Sequence, residues 1–207
     1  ERLIAENPKN SEVIFPYIGG DEVNSSPTHA HHRYVINFGE RSEDECRREW
    51  PNLMAILERK VKPERITKPG SYRKYWWLFG RRNIAGVMAI ASNTKVIAIS
   101  QVFAQFAFAI LQAGSVFAHR LIIFSDESLS FWSLIQGTLH DSWTELLSYS
   151  LGDGRCYAST DCFETFPFPA ALLDANASDP QHETQRQSLE KIGERYHQFR
   201  AELMVAN

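Results

Sequence analysis

The chain has 207 residues, of which 43% are hydrophobic, 23% charged and 12% aromatic, and it carries a net charge of −3. That mix belongs to a folded domain and excludes a disordered tail or a fibre. No run of about 18 apolar residues exists, so no membrane span is expected.

The chain begins at Glu1 with no basic and apolar leader pattern, and it reads as a piece of something longer. The first expected strand is Val13 to Ile18, closed by the turn signal Gly19-Gly20. A polar loop, Asp21 to His32, leads to a second strand over Arg33 to Phe38. Ser42, with Glu45 three residues on, forms a capping box for a helix reaching about Val61. Pro51 is placed to break that span into two helices, the second starting at the proline.

The next stretch concentrates charge. Arg59, Lys60, Lys62, Arg65, Lys68, Arg73, Lys74, Arg81 and Arg82 are opposed only by Glu64, a local +8 on a mildly acidic protein. Such segregation suits a local polyanion contact; a solvated basic loop is the plainer reading. Pro63, Pro69 and Gly70 make its middle a loop, and Tyr75-Trp76-Trp77-Leu78-Phe79 is an apolar plug that anchors it. Short β-type runs follow at Gly86 to Ala91, Lys95 to Ser100, Phe103 to Leu111, Ser115 to Ala118 and Leu121 to Phe124. From Leu129 to Tyr149 the apolar positions fall at steps of three and four, which predicts one amphipathic helix capped at Ser128 or Asp126. Leu151 to Tyr157 (LGDGRCY) reads as a glycine-bearing loop and Asp161 to Pro169 (DCFETFPFP) as an extended aromatic segment. Ala175 to Gln181 is a polar connection, and a final helix starts near Pro180. The elements sum to an α+β chain: a compact mixed β-sheet domain with a long amphipathic helix and a C-terminal helical segment.

Catalytic chemistry is sparse. There is no GxxxxGK, GxGxxG or GxSxG. Glu58-Arg59-Lys60 is an ExK triplet with Asp44 upstream, the residue types of a metal-dependent nuclease. It falls on an expected helix rather than on convergent strand ends, so a solvated face is preferred. His29, His31 and His32 are dense enough to bind a metal but lack a second ligand pair, and a surface loop is preferred. His140-Asp141 could form a catalytic dyad, yet reads better as a packing or surface group. Trp76, Trp77, Trp132 and Trp143 could stack on bases, but at helical spacing Trp132 or Trp143 is assigned to core. Three cysteines, Cys46, Cys156 and Cys162, match no zinc spacing and suit a reduced, cytoplasmic setting. No catalytic residue and no metal site is expected, which favours a binding module over an enzyme.

Several stretches together resemble a known family: Val13 to Asn24 (VIFPYIGGDEVN), Ser26 to Phe38 (SPTHAHHRYVINF), Val61 to Arg65 (VKPER), Leu134 to Trp143 (LIQGTLHDSW) and Asp161 to Pro169. They are similar to the C-terminal part of MmeI-like type II restriction-modification and phage-defence enzymes, which methylate adenine at N6. The resemblance implies a DNA target recognition domain over residues 1–169 and a linker with the start of a helical region over 170–207. It also implies a parent enzyme whose methyltransferase domain binds S-adenosylmethionine and carries an NPPY-type motif. That motif is missing here, since all nine prolines are isolated. Double-stranded DNA and the parent's methyltransferase domain are the implied partners.

By the same resemblance, specificity resides before the long helix and in the loop ahead of FETFPFP. Related sequences place charged side chains spaced by two in that loop; here Gly152, Gly154 and Cys156 stand there, with Asp153 and Arg155 between them. Asp153 and Arg155 are base-reading candidates because Asp accepts from cytosine N4 and Arg bonds bidentately to guanine. Asn93, Lys95, Ser100 and Gln101 are further base-reading candidates near strand ends. Lys68, Arg73, Lys74, Arg81 and Arg82 are candidates for phosphate contacts that position without specifying. The alternative is a protein-interaction module in a phage-defence complex, with the Trp76-Trp77 plug and FETFPFP facing a partner.

Overall fold

A computed structural model describes residues 2–79, 84–152, 154–173 and 179–206. In chain order the elements are α1 (Arg2–Glu6), β1 (Ile14–Ile18), α2 (Gly20–Ser25), β2 (Arg33–Ile36), α3 (Glu43–Glu49), α4 (Pro51–Lys60), α5 (Lys62–Arg65), α6 (Ser71–Lys74) and α7 (Ile84–Ala89). There follow β3 (Lys95–Ser100), β4 (Val102–Phe103), β5 (Ala109–Gln112), β6 (Val116–Phe117), β7 (Leu121–Phe124), α8 (Leu129–Ile135), α9 (Thr138–Leu147), β8 (Tyr149–Leu151), β9 (Gly154–Cys156), α10 (Ala170–Leu173) and α11 (Pro180–Ala206). The architecture is α+β, with small sheets in the orders β2-β1-β6, β5-β3-β7 and β4-β9-β8. Among the described residues no helix is long and apolar enough to cross a membrane.

The chain divides into two units. The first comprises Glu1–Tyr17, His31–Val87 and Gly114–Val116. Its core joins Val13, Phe38, Trp50, Leu53, Met54, Trp76 and Leu78. Ser42 Oγ accepts from the Glu45 amide at 3.2 Å and so starts α3. Pro51 ends α3 and opens α4, where a missing N–H costs nothing.

The second unit comprises Ile18–Ala30, Met88–Ala113 and Phe117–Asn207. Strand β3 is its centre. Residues Val96 to Ser100 are all buried, and β5 and β7 pair antiparallel on either side. One face builds a core of Ile97, Ile99, Phe108, Trp132, Ile135 and Tyr157. The other face joins Val96, Ala98, Leu111 and Leu121 to Ile18 and Val23. Helix α11 packs on α8 through Gly193, where an added Cβ would stand 2.3 Å from the Leu129 carbonyl oxygen. Glu190 of α11 caps α8 by accepting from the Leu129 and Ser130 amides.

Several expectations change, and the run Phe103 to Leu111 is not one strand but the end of β4 and the start of β5, separated by residues 104–108. The loop over 21–32 begins with a helical turn, α2, whose Glu22 carboxylate accepts from the Gly19 amide at 2.8 Å. The run Gly86 to Ala91 is mostly helix α7 rather than strand, consistent with its alanines and methionine. The basic segment holds two short helices, α5 and α6. The helix over 129–149 is two helices, α8 and α9, broken at Gln136-Gly137, with Gly137 extended (φ −70°, ψ 157°). Gln136 itself keeps helical dihedrals (φ −81°, ψ −13°), and its side-chain amide bonds the backbone of Phe106 and Phe108 at the point where the helix ends. Finally, LGDGRCY is the β8–β9 hairpin, and the residues Ser159–Phe163 form a wide helical turn rather than an extended strand.

Candidate nucleic-acid interface

In the first unit the basic side chains divide into two groups. Lys62 Nζ sits 4.6 Å from the centre of the Trp76 ring and 3.7 Å from the Glu58 carboxylate. Arg65 donates to the Leu78 carbonyl at 3.0 Å and lies over Tyr72. These two cations fasten the segment to its own anchor. Trp76 and Leu78 are buried, and Trp77 Nε1 donates to the Arg41 carbonyl at 3.0 Å. Arg59, Lys60, Lys68, Arg73 and Lys74 are exposed instead. Lys68 bonds Glu64, whose carboxyl is held below its usual range by that bond. Lys74 lies over Tyr75. Arg73 has no ion pair among the described residues. Arg81 and Arg82 lie outside the described residues.

In the second unit the base-reading candidates fall at opposite ends of β3. Asn93 and Lys95 stand at its start, where Asn93 donates to the Ser125 carbonyl and the Lys95 amide donates to Glu127. Gln101 follows its end, ~20 Å away at the rise of an extended chain. The Gln101 carbonyl accepts from the Tyr157 amide at 2.8 Å, which brings the β8–β9 hairpin alongside. Arg155 therefore lies near Gln101 and away from Asn93 and Lys95. Ser100 is a correction: at 5% exposure its side chain is packed beside Gly20 and is closed to a base edge. Asp153 lies outside the described residues.

Arg155 occupies the most elaborated position. In the β4–β9 pair it is directly opposite Phe103, so the two side chains share a face. Its guanidinium carbon stands 5.1 Å from the Phe103 ring centre and 5.8 Å from that of Phe106. Asp141, in the first turn of α9, approaches Nη1 at 3.0 Å without hydrogen-bond alignment. The Arg155 side chain keeps 29% exposure. Phe103, Phe106 and Asp141 were not singled out from sequence for this role. Phe103 and Phe106 lie inside a run that reads as one strand, and Asp141 is overshadowed by His140.

The alternative chemistries lose their geometry. Glu58 accepts from Arg47 at 2.6 Å, a bond that holds its carboxyl low. His29 Nδ1 is 3.1 Å from the Glu22 carbonyl, and burial lowers its pKa. No group of three His, Cys, Asp or Glu among the described residues could hold a metal. His140 is buried within Phe106, Phe108, Tyr157 and Phe166, while Asp141, one ~100° helical step on, faces Arg155 instead. The surfaces proposed to face a partner also turn inward. Trp76 and Phe166 are buried, and Phe163 and Phe168 pack against the second unit's core.

A family model described as MmeI, target recognition domain, matches residues 1–170. A solved structure of the type IIL restriction-modification enzyme MmeI in complex with DNA is similar in fold, with a TM-score of 0.60 at 15% identity. The alignment covers 96% of this chain and 30% of that enzyme's chain. A search of curated proteins finds no match.

Proposed function

Because the chain belongs to the family of MmeI target recognition domains, we propose that it reads DNA sequence for a larger restriction-modification enzyme that methylates adenine at N6. On this reading residues 1–169 form the recognition domain and 170–207 lead into a helical region. Duplex DNA is the ligand and the parent works in the cytoplasm, in restriction-modification or phage defence. The matched MmeI structure, a DNA complex, supports the choice of ligand.

The observation that carries the reading is the exposure of Arg59, Lys60, Lys68, Arg73 and Lys74 on a chain of net charge −3. A mildly acidic protein gains little from such a cluster unless it meets a polyanion. Those cations, with Arg81 and Arg82, would contact phosphates and set register. Arg155 and Gln101 would reach base edges at one end of β3, with Asp153 two residues before Arg155 in sequence. Asn93 and Lys95 would serve a separate contact at the other end.

Methyl transfer would belong to the parent's catalytic domain, which would hold S-adenosylmethionine and the flipped adenine. Gly39, Gly70 and Gly152 adopt positive φ in turns, and Gly193 serves a helix crossing. The recognition domain would position the duplex so that the target adenine meets the catalytic pocket.

A fluorescence anisotropy titration with mixed-sequence duplex at about 50 and 200 mM salt tests the reading. Six phosphate contacts should weaken binding by roughly 10³-fold across that range. Binding that does not respond to salt, or no binding by the full-length protein that carries the chain, would overturn it.

A further inference from the structure

Asp141 and Arg155 come from different elements, yet they meet at 3.0 Å beside two phenylalanine rings. A bare brace between α9 and the hairpin would be best served by aligned, bidentate hydrogen bonds, the geometry arginine and carboxylate adopt when free to do so. The observed pair is a Coulombic contact without that alignment. The guanidinium therefore keeps N–H donors uncommitted while its central carbon is held over the Phe103 and Phe106 rings. Arginine has five such donors in a rigid fork. With the carboxylate at Nη1 and the rings beside it, the freedom left to the fork is small.

We propose that Asp141 is a positioning residue for base readout: it fixes the Arg155 guanidinium on the Phe103–Phe106 platform so that the free edge of the fork is presented to a guanine. The inference rests on the proposed reading of the chain as a DNA recognition domain. The chemistry follows from the fork. Guanine offers N7 and O6 as paired acceptors in the major groove, and a guanidinium meets both at once. A long side chain that is ordered before binding does not lose its rotamer freedom at that step. Asp141 is acceptor-only when ionised, so it cannot itself satisfy guanine N7 or O6. Its action on specificity runs through Arg155.

The test uses the full-length protein that carries this chain and a duplex pool randomised across the recognised site. Bound duplexes are selected and sequenced for the wild type and for Arg155→Gln, Asp141→Asn and Asp141→Glu, and each variant is melted to verify folding. Arg155→Gln should flatten the preference at one base pair, a guanine. Asp141→Asn should flatten that same base pair by roughly two- to tenfold, the value of one immobilised side chain. Every other position and the salt slope should stay as in wild type, and Asp141→Glu should restore part of the preference. A mere brace would lower binding to all sequences together with the melting temperature, and that result overturns the proposal. So does an Asp141→Asn profile that matches wild type. If wild type is selective but Arg155→Gln changes no position, the inference fails and the recognition reading stands. If wild type selects no sequence, both fail.

Discussion

The Tyr157 hydroxyl lies 3.1 Å from Nε2 of His140, and both side chains are fully buried. Nδ1 of the same ring is 2.7 Å from the Ile135 carbonyl. A neutral imidazole protonated at Nδ1 donates to Ile135 and accepts the tyrosine proton at Nε2, leaving the Cys162 carbonyl, 3.2 Å from Nε2, without a donor from the ring. Burial is the main reason His140 titrates below the ordinary 6.5.

Stability should therefore fall on the acid side of neutrality. The unfolded chain takes up a proton at His140 near 6.5, before the folded chain does, so the folded state loses ground as pH drops below that value. His29 and His197 are lowered too, chiefly by burial, and act in the same direction. The stability is complete above about 6.5 and declines toward the lower folded-state values. Thermal melts between about pH 8 and pH 5 should show a falling midpoint, and His140→Gln should flatten part of the slope even if its midpoint is lower throughout. A midpoint that rises on acidification across this window would contradict the neutral-histidine assignment.

Gly193→Ala should destabilise the second unit. Alanine is the better helix residue by ~1 kcal/mol, so an open site would gain from the change. Here the new methyl would sit 2.3 Å from the Leu129 carbonyl oxygen, which is backbone and cannot step aside. Overpacking of this kind costs about 1–3 kcal/mol, and the net sign is destabilising. Urea denaturation measures it. Trp132, which packs against Tyr196 and His197 of α11, supplies a fluorescence signal for the loosened crossing.

Gln136→Leu should cost about 1–3 kcal/mol. The Gln136 Oε1 accepts from the Phe108 amide at 2.8 Å and from Arg200 at 3.0 Å. Its Nε2 donates to the Phe106 carbonyl at 3.1 Å. Leucine has a similar volume but removes the partner of the Phe108 amide and of the Phe106 carbonyl, while Arg200 keeps its bond to the Phe108 carbonyl at 3.2 Å. Gln136→Glu should be milder, because the carboxylate keeps both acceptor contacts. Chemical denaturation of the two variants checks the order.

The three cysteines should resist labelling in the folded chain. All are buried and free. Burial, the first cause, pushes the Cys46 thiol up to about 11, and the Cys162 thiol is raised for the same reason. At neutral pH little thiolate forms, and thiolate is the reactive species. Iodoacetamide followed by mass spectrometry should find no native adduct and three adducts in denaturant.

What the sequence made legible was local. The Ser42 cap, the Pro51 break, the Lys95–Ser100 and Leu121–Phe124 strands and the start of α11 follow from residues within a few positions of each other. The break at Gly137 did not, because the apolar rhythm runs through it unbroken. The bonds that mark the break, from the Gln136 side chain to Phe106 and Phe108, join residues far apart in sequence. The candidate site divides the same way. Arg155 was visible as a charged side chain in a glycine-bearing stretch. Its setting was not, because Phe103 and Asp141 become neighbours only once β4 pairs with β9 and α9 folds back. Ser100 failed for a related reason. Polarity near a strand end does not reveal that β3 is covered on both faces.

The β8–β9 hairpin is fastened on one side only. Its closing residues, Cys156 and Tyr157, are buried at 1% and 0% and tied to Val102 and Gln101, while its turn at Gly152 takes positive φ with no atom near the missing Cβ. A side chain at Gly152 would strain the turn but meet no core atom, whereas change at Cys156 or Tyr157 strikes the interior directly. On the proposed reading, change on the open side of this hairpin would alter what the chain recognises and leave the buried side that anchors it in place.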